Sequence, residues 1–198
     1  MTRILHVLDH SLPLHSGYTF RTRAILRAQM AKGWAVRGIT GHRHVAPKPQ
    51  DGTAPLEEAV DGLHFHRTPG QPATGNPLIR EWRDIAAHAD AIESLVRDWR
   101  PDIIHAHSPV LNAIAAQRVA KRHGIPMIYE IRAFWEDAAV GNGTGTQGSP
   151  RYWLTRQLET HAVRAADAVA VICEGLRGDL IARGIDRDKI IVSPNGVD

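Results

Sequence analysis

The chain has 198 residues, 43% of them hydrophobic and 23% charged, a balance that excludes disordered and collagen-like polypeptides and allows one large domain or two small ones. Lys and Arg number 24 against 21 Asp and Glu, a formal charge of +3, and no Lys/Arg block marks a dedicated nucleic-acid binder. The single cysteine, Cys173, excludes an internal disulfide framework and a multi-cysteine zinc site, and no apolar run exceeds the six residues 168–173.

Without an apolar h-region after the first strand-like run, the expected location is cytoplasmic. Twenty of the 24 cations are Arg. That bias suits an anionic ligand or peripheral contact with an anionic membrane on its inner face.

Taken in order, residues 4–8 read as a strand. Residues 18–32 read as a helix, with Phe20, Ala24, Ile25, Ala28 and Ala31 at helical spacing and Gly33 as its stop. Residues 34–40 read as a second strand. Residues 41–61, with breakers Gly41, Pro47, Pro49 and Gly52, read as a loop, and 63–68 as a third strand. Residues 77–99 form the clearest helix, because Leu78, Trp82, Ile85, Ala89, Ile92, Val96 and Trp99 recur at alternating steps of four and three, one continuous core face. Pro101 ends it.

Residues 102–107 follow as a strand. Ser108-Pro109 predicts an N-cap with proline at the first helical position, and that helix runs to His123 and stops at Gly124. Residues 126–131 are a strand. Residues 133–149, with Gly141, Gly143, Gly145 and Gly148, read as a long loop, either a flap or an unordered surface segment. Ser149-Pro150 repeats the cap-plus-proline start of a helix reaching about residue 166. Residues 168–173 read as a strand that buries an inert Cys173 thiol, 174–183 as a helix closed by Gly184, and 189–192 as a last strand. Apolar strands alternating with helices predict an α/β, Rossmann-like, doubly wound domain, with a mainly parallel sheet of about seven strands covered on both faces. Ligands in such a fold lie at the carboxyl ends of the strands.

Those ends select a short set of residues. Ser16-Gly17 opens a helix directly, so backbone N–H groups face the rim in a phosphate-binding geometry, with Arg21 and Arg23 one turn further on. An ordinary serine N-cap is the plain alternative. The dinucleotide fingerprint is absent after the first strand. Three His-x-His pairs, His42/His44, His64/His66 and His105/His107, lack a third ligand at a diagnostic spacing, so no metal is expected. His105 is expected to pack against a helix and His107 to stand at the strand tip. Glu130 and Arg132 share a strand face, where Arg132 either holds an anion or simply pairs with Glu130.

Four runs, DIIHAHSP (102–109), GIPMIYEIRAFWED (124–137), AVAVICEGL (168–176) and SPNGVD (193–198), together resemble the amino-terminal half of family-four (group 1) retaining glycosyltransferases of the GT-B fold. The opening ILHVLDHSLPLHSGYTFRTR (4–23) is similar to the exosortase-associated bacterial subgroup (the PEP-CTERM system). The resemblance implies that residues 1–198 are a Rossmann-like acceptor-side domain whose carboxyl-terminal, donor-binding partner domain lies outside this chain. It implies transfer from a nucleoside diphosphate sugar to a glycan or lipid-linked acceptor in bacterial surface polysaccharide assembly, with no cofactor and no essential metal.

Gly17 matches the glycine loop that meets the donor diphosphate. Arg132 falls where many members carry a histidine, and the Arg-x-x-Trp-Glu pattern resembles amino-sugar transferases. An Arg there stabilises charge rather than exchanging a proton. The expected catalytic set is Arg132, His107 and Glu130. Ser16, Gly17, Tyr18, Arg21, Glu174, Asn195 and Gly196 are the expected substrate- and diphosphate-binding residues. The fragment alone is expected to be inactive. Competing readings are a stand-alone, non-catalytic binding module for a phosphorylated sugar or nucleotide, and a structural domain of an envelope-polysaccharide assembly.

Overall fold

The computed structural model describes residues 1–44 and 55–196. The elements are β1 (Arg3–Leu8), α1 (Gly17–Ala31), β2 (Ala35–Thr40), β3 (Glu57–Val60), β4 (Leu63–Arg67), α2 (Pro77–Trp99), β5 (Ile103–His107), α3 (Val110–His123), β6 (Met127–Ile131), α4 (Trp135–Gly141), α5 (Pro150–Ala165), β7 (Ala168–Val171), α6 (Glu174–Ala182) and β8 (Ile190–Val192). One eight-stranded sheet runs in the order β3-β4-β2-β1-β5-β6-β7-β8. Every neighbouring pair is parallel except β3–β4. The order turns at β1, between β2 and β5, which makes the carboxyl ends of β1 and β5 a topological switch point.

The α/β, Rossmann-like class holds, with one strand more than expected. β3 lies in the stretch read as a loop, of which residues 45–54, including Pro47, Pro49 and Gly52, fall outside the described residues. Its residues Glu-Glu-Ala-Val carry little apolar signal. It forms because Asp61 and Gly62 both adopt positive φ (58° and 74°), closing a two-residue turn that pairs Val60 with Leu63.

α4 likewise replaces part of an expected loop. Glu136 and Asp137 sit in its first turn, where the helix dipole favours acids, and the buried Glu136 carboxylate meets Arg183 Nη2 at 2.8 Å. Ser149 caps α5 as expected, accepting from the Tyr152 N–H. The residue capping α3 is Pro109, without a side-chain bond; the Ser108 hydroxyl accepts the Arg132 backbone N–H instead (3.2 Å). β7 ends at Val171, so Cys173 is exposed at the start of α6 rather than buried in a strand.

The two sheet faces differ. Leu5, Val7, Ile104 and Tyr129 point into the main core, which α2, α3 and α5 complete with Ile92, Ala116 and Val163, and α6 adds Leu180. On the opposite face, α1 is the helix that packs, against β2 and β4. Beyond it the β6–β8 half of that face keeps Ile128, Ala168 and Ala170 partly exposed and Ile191 exposed, so the sheet is not covered on both sides among the described residues.

α1 itself is turned from its expected orientation. It buries Thr19, Thr22 and Leu26, while Phe20 is 50% exposed and Ala24, Ala28 and Ala31 face solvent. α2 spans the expected residues, and Ile85, Ala89, Ile92 and Val96 are core; the Leu78 side chain lies outside the described residues. Trp82, expected in the core, is 61% exposed and carries the Arg118 guanidinium over its ring at 4.1 Å.

Under α1, Gly38 of β2 is required by packing. A Cβ there would lie 2.7 Å from Phe65 Cδ1 and 3.1 Å from Leu8 Cδ1. Gly38→Ala is expected to lower unfolding free energy by about 1–3 kcal/mol through overpacking, measured by urea denaturation.

Candidate active site

At the switch point, the carboxyl ends of β1, β5 and β6 surround a cavity of about 300 Å³. Asp9 and His10 follow β1, Ser16 and Tyr18 open α1, His107 and Ser108 end β5, and Arg132 and Trp135 follow β6. A wider groove of about 770 Å³ lies on the other side of Tyr18 and Arg132, between the outer flank of α1 and residues 193–196. It contains Gly17, Arg21, Asn195 and Gly196.

Arg132 separates the two spaces and is only 8% exposed. Its Nε donates to Glu130 Oε1 (2.9 Å), Nη1 to the Tyr18 carbonyl (2.8 Å), and Nη2 to Thr22 Oγ1 (2.9 Å) and His107 Nδ1 (2.8 Å). Four of the five N–H donors of a guanidinium are therefore engaged within the fold. Glu130 Oε1 also accepts from Arg21 Nε (3.0 Å). The remaining four Arg21 donors reach the carbonyls of Ser193 and Pro194, the Ser193 hydroxyl and Asn195 Oδ1. Arg21 thus staples α1 to the segment after β8.

Burial raises the Glu130 pKa, but the polar surroundings of the carboxylate, His105 Nε2 at 3.3 Å among them, outweigh it and hold the carboxyl far below its usual range. The two guanidiniums act in the same direction. Glu130 stays ionised behind Arg132, off the cavity wall, so it anchors guanidiniums and exchanges no proton at neutral pH. Burial lowers the His107 pKa to about 3, with His105 adding to the effect, so the ring is neutral. Its two nitrogens bond Arg132 and His6. His107 lines the cavity but holds no free lone pair for proton transfer.

The His105 ring stacks on His107 at 4.3 Å, and its Nε2 sits 3.3 Å from Glu130 Oε2. The β1–β5 register sets His6 opposite His105, bringing ring nitrogens of His6, His105 and His107 within 4.8 Å of one another. On distance alone the three form a ligand set. The hydrogen bonds argue otherwise. Arg132 can only donate, so His107 Nδ1 accepts and its Nε2 carries the proton, leaving no lone pair for a metal.

The remaining expected residues divide. Ser16 caps α1, its Oγ accepting the Thr19 N–H at 3.2 Å. Gly17 is exposed, with nothing within 4 Å of where a Cβ would stand. Tyr18 is 50% exposed, its ring 5.4 Å from the Arg132 guanidinium carbon. Asn195 and Gly196 reach the groove through the Arg21 staple. Glu174 stays apart: it is exposed and pairs with Arg177 at 3.2 Å, because α6 begins beyond the groove wall. The expected set omits Asp9 and His10, which meet at 3.1 Å beside the cavity, and burial raises the Asp9 pKa against the pull of His10 and Arg43. Their position directly after β1 is the signal in the sequence. His6, Thr22 and Gln29 carry none, since they join the site through cross-strand and helix–sheet packing.

The glycosyl transferase 4-like domain profile matches residues 16–196. The chain belongs to that family. It is 25% identical over 149 residues to a GDP-mannose-dependent alpha-mannosyltransferase of Mycolicibacterium smegmatis, covering 73% of this chain and 38% of that protein. It is 32% identical over 109 residues to a UDP-N-acetylglucosamine–N-acetylmuramyl-(pentapeptide) pyrophosphoryl-undecaprenol N-acetylglucosamine transferase of Maricaulis maris, covering 52% and 27%. The fold of this glycosyl transferase 4-like domain superposes on sucrose-phosphate synthase from Thermosynechococcus elongatus with a TM-score of 0.72 at 14% identity, over 100% of this chain and 49% of that one. The chain spans less than half the length of each of these proteins. It has the architecture of the amino-terminal domain of a group 1, GT-B glycosyltransferase.

The buried histidines set a pH dependence. Burial lowers both His88 and His107 from the ordinary imidazole value of 6.5 to about 3, and His6 shifts the same way. These rings protonate near 6.5 only when unfolded, so their contribution is complete above that pH and drains as pH falls towards 3. The loss is about 1.4 kcal/mol per ring per pH unit. Glu159, pushed up to about 7 by burial, works in reverse: the folded state takes up its proton first, offsetting roughly one ring between pH 7 and 4.5. Urea titrations at pH 6.5 and 5 are expected to show a net loss of at least about 2 kcal/mol at the lower pH.

Proposed function

We propose that this domain is the acceptor-side half of a retaining glycosyltransferase. Its reaction moves a sugar from a nucleoside diphosphate sugar to a glycan or lipid-linked acceptor in bacterial surface polysaccharide assembly. The observation that carries the reading is Gly17. It stands at the amino terminus of α1 between the two spaces, and neither packing nor a positive φ requires a glycine there. A glycine the fold does not need suits close approach of a diphosphate to helix N–H groups. The activities of the two relatives, mannosyl transfer from GDP-mannose and N-acetylglucosamine transfer to a pyrophosphoryl-undecaprenol acceptor, support the donor and acceptor classes. The exosortase-associated assignment rests on the opening run 4–23 alone.

In this scheme the acceptor occupies the cavity lined by Asp9, His10 and Trp135, and the donor diphosphate meets α1 at Gly17. The partner domain supplies the rest of the donor site, and no cofactor takes part. Arg132, anchored by Glu130 and His107, places one N–H and a fixed charge beside the departing diphosphate. Because the removal of Arg132 strands buried Glu130, Arg132→Ala is expected to destabilise the fold. Gly17→Val is the cleaner probe. In the full-length protein it is expected to cut turnover with the preferred GDP- or UDP-sugar at least about tenfold, with the melting temperature unchanged. Wild-type turnover in that variant removes the diphosphate assignment. The 198-residue chain alone is expected to transfer nothing.

We also propose peripheral contact with the inner face of an anionic membrane. No helix among the described residues is long and apolar enough to cross a membrane. On α2, Arg97 pairs with Glu93 at 2.7 Å, whereas Arg80 and Arg83 are exposed beside Ile79 (53%) and Trp82 (61%). Exposed apolar and cationic side chains at one helix start suit an anionic lipid interface. Trp82→Ser is expected to reduce co-sedimentation with phosphatidylglycerol vesicles severalfold and to leave the weak signal on phosphatidylcholine vesicles unchanged. Equal binding by the variant counts against this face.

A further inference from the structure

We propose that His6 is a positioning residue of this site, acting through His107 to hold the Arg132 guanidinium at the cavity wall. The proposal rests on the transferase reading for its kinetic consequence only.

The argument starts from Arg132, which has donors and no acceptor. Its Nη2 lies 2.8 Å from His107 Nδ1, so Nδ1 accepts. A neutral His107 then carries its proton on Nε2, which lies 3.0 Å from His6 Nδ1. His6 accepts there, carries its own proton on Nε2, and donates to Gln29 Oε1 at 2.8 Å. Each ring nitrogen has one role, and only this direction agrees with the arginine. The chain runs from the cavity wall, across β5 and β1, to the far end of α1. His6 and His107 are 0% and 2% exposed, so water does not compete for these bonds.

Without His6, the His107 Nε2–H has no acceptor. The ring gains access to its other tautomer, whose Nδ1–H faces the Arg132 N–H donor to donor. Arg132 then loses one of the two anchors on Nη2, and the guanidinium leaves the geometry set by Glu130 and Tyr18. His6 is not itself among the residues lining the cavity. Its effect passes entirely through the ring beside it.

The experiment uses the full-length protein and two substitutions. His6→Leu removes both bonds at similar volume. His6→Gln supplies an acceptor to His107 and a donor to Gln29. Long-range ¹H–¹⁵N spectra of the imidazole nitrogens at pH 7 are expected to show His6 and His107 neutral and protonated on Nε2 in wild type. They are expected to show a tautomer mixture at His107 in His6→Leu. Turnover in His6→Leu is expected to fall at least about tenfold in kcat, with KM for donor and acceptor within about threefold, and His6→Gln to recover most of it. Protonation of wild-type His107 on Nδ1, or wild-type kcat in His6→Leu, overturns the proposal. If His6→Leu fails to fold, the wild-type spectrum and His6→Gln still decide it. If the wild-type protein transfers no sugar, the transferase reading fails, while the ring spectra test the hydrogen-bond chain independently.

Discussion

One buried carboxylate oxygen, Glu130 Oε1, accepts from two guanidiniums, Arg132 Nε at 2.9 Å and Arg21 Nε at 3.0 Å. Through Arg21 it ties α1 to the segment after β8, and through Arg132 it ties β6 to α1 and β5. The elements it joins lie as far apart as residues 21 and 193. Burying three charges is costly, and their attraction returns that cost only when the geometry is good and the other donors are satisfied. Here every Arg21 donor and four Arg132 donors are engaged. The cluster therefore fixes how these elements meet at the candidate site more than it adds net stability, and the histidine chain is an extension of it.

The asymmetry of the sheet places that cluster. One face is closed by α2, α3 and α5 over mostly apolar strand residues. The other face carries His6, His105, His107, Glu130 and Arg132, with α1 above. Polar side chains persist there because α1 offers partners: Thr22, Gln29, Arg21 and the Tyr18 carbonyl. α1 accordingly presents polar residues inward and an apolar flank to the groove, the inverse of an ordinary amphipathic helix.

That inversion explains which sequence signals misled. The helical spacing of Phe20, Ala24, Ile25 and Ala28 is real, but periodicity identifies a stripe without saying whether core or cleft receives it. Trp82 continues the α2 stripe, yet it stands one turn beyond the core and stacks under Arg118. β3 has no apolar alternation of its own and exists through its partner strand, although Asp61-Gly62 announces the turn. The glycines after residue 140 hid α4, whose acidic first turn and Glu136–Arg183 contact hold it in place. Strands β1, β5, β6 and β7 and helices α2 and α5 were legible because their own residues carry the period, the caps and the stops.

The sequence by itself determined the fold class, the order of the elements other than β3 and α4, and the rim that holds most of the candidate residues. It also showed Glu130 and Arg132 on one strand face, because the two-residue period of a strand is local. Only the tertiary structure decided that Glu130 lies behind Arg132, that Glu174 stands outside the cluster, and that His6 joins it from a strand about 100 residues away. Those outcomes depend on strand register and on which flank of α1 meets the sheet. Both are set by contacts between segments distant in the chain, which no local spacing encodes.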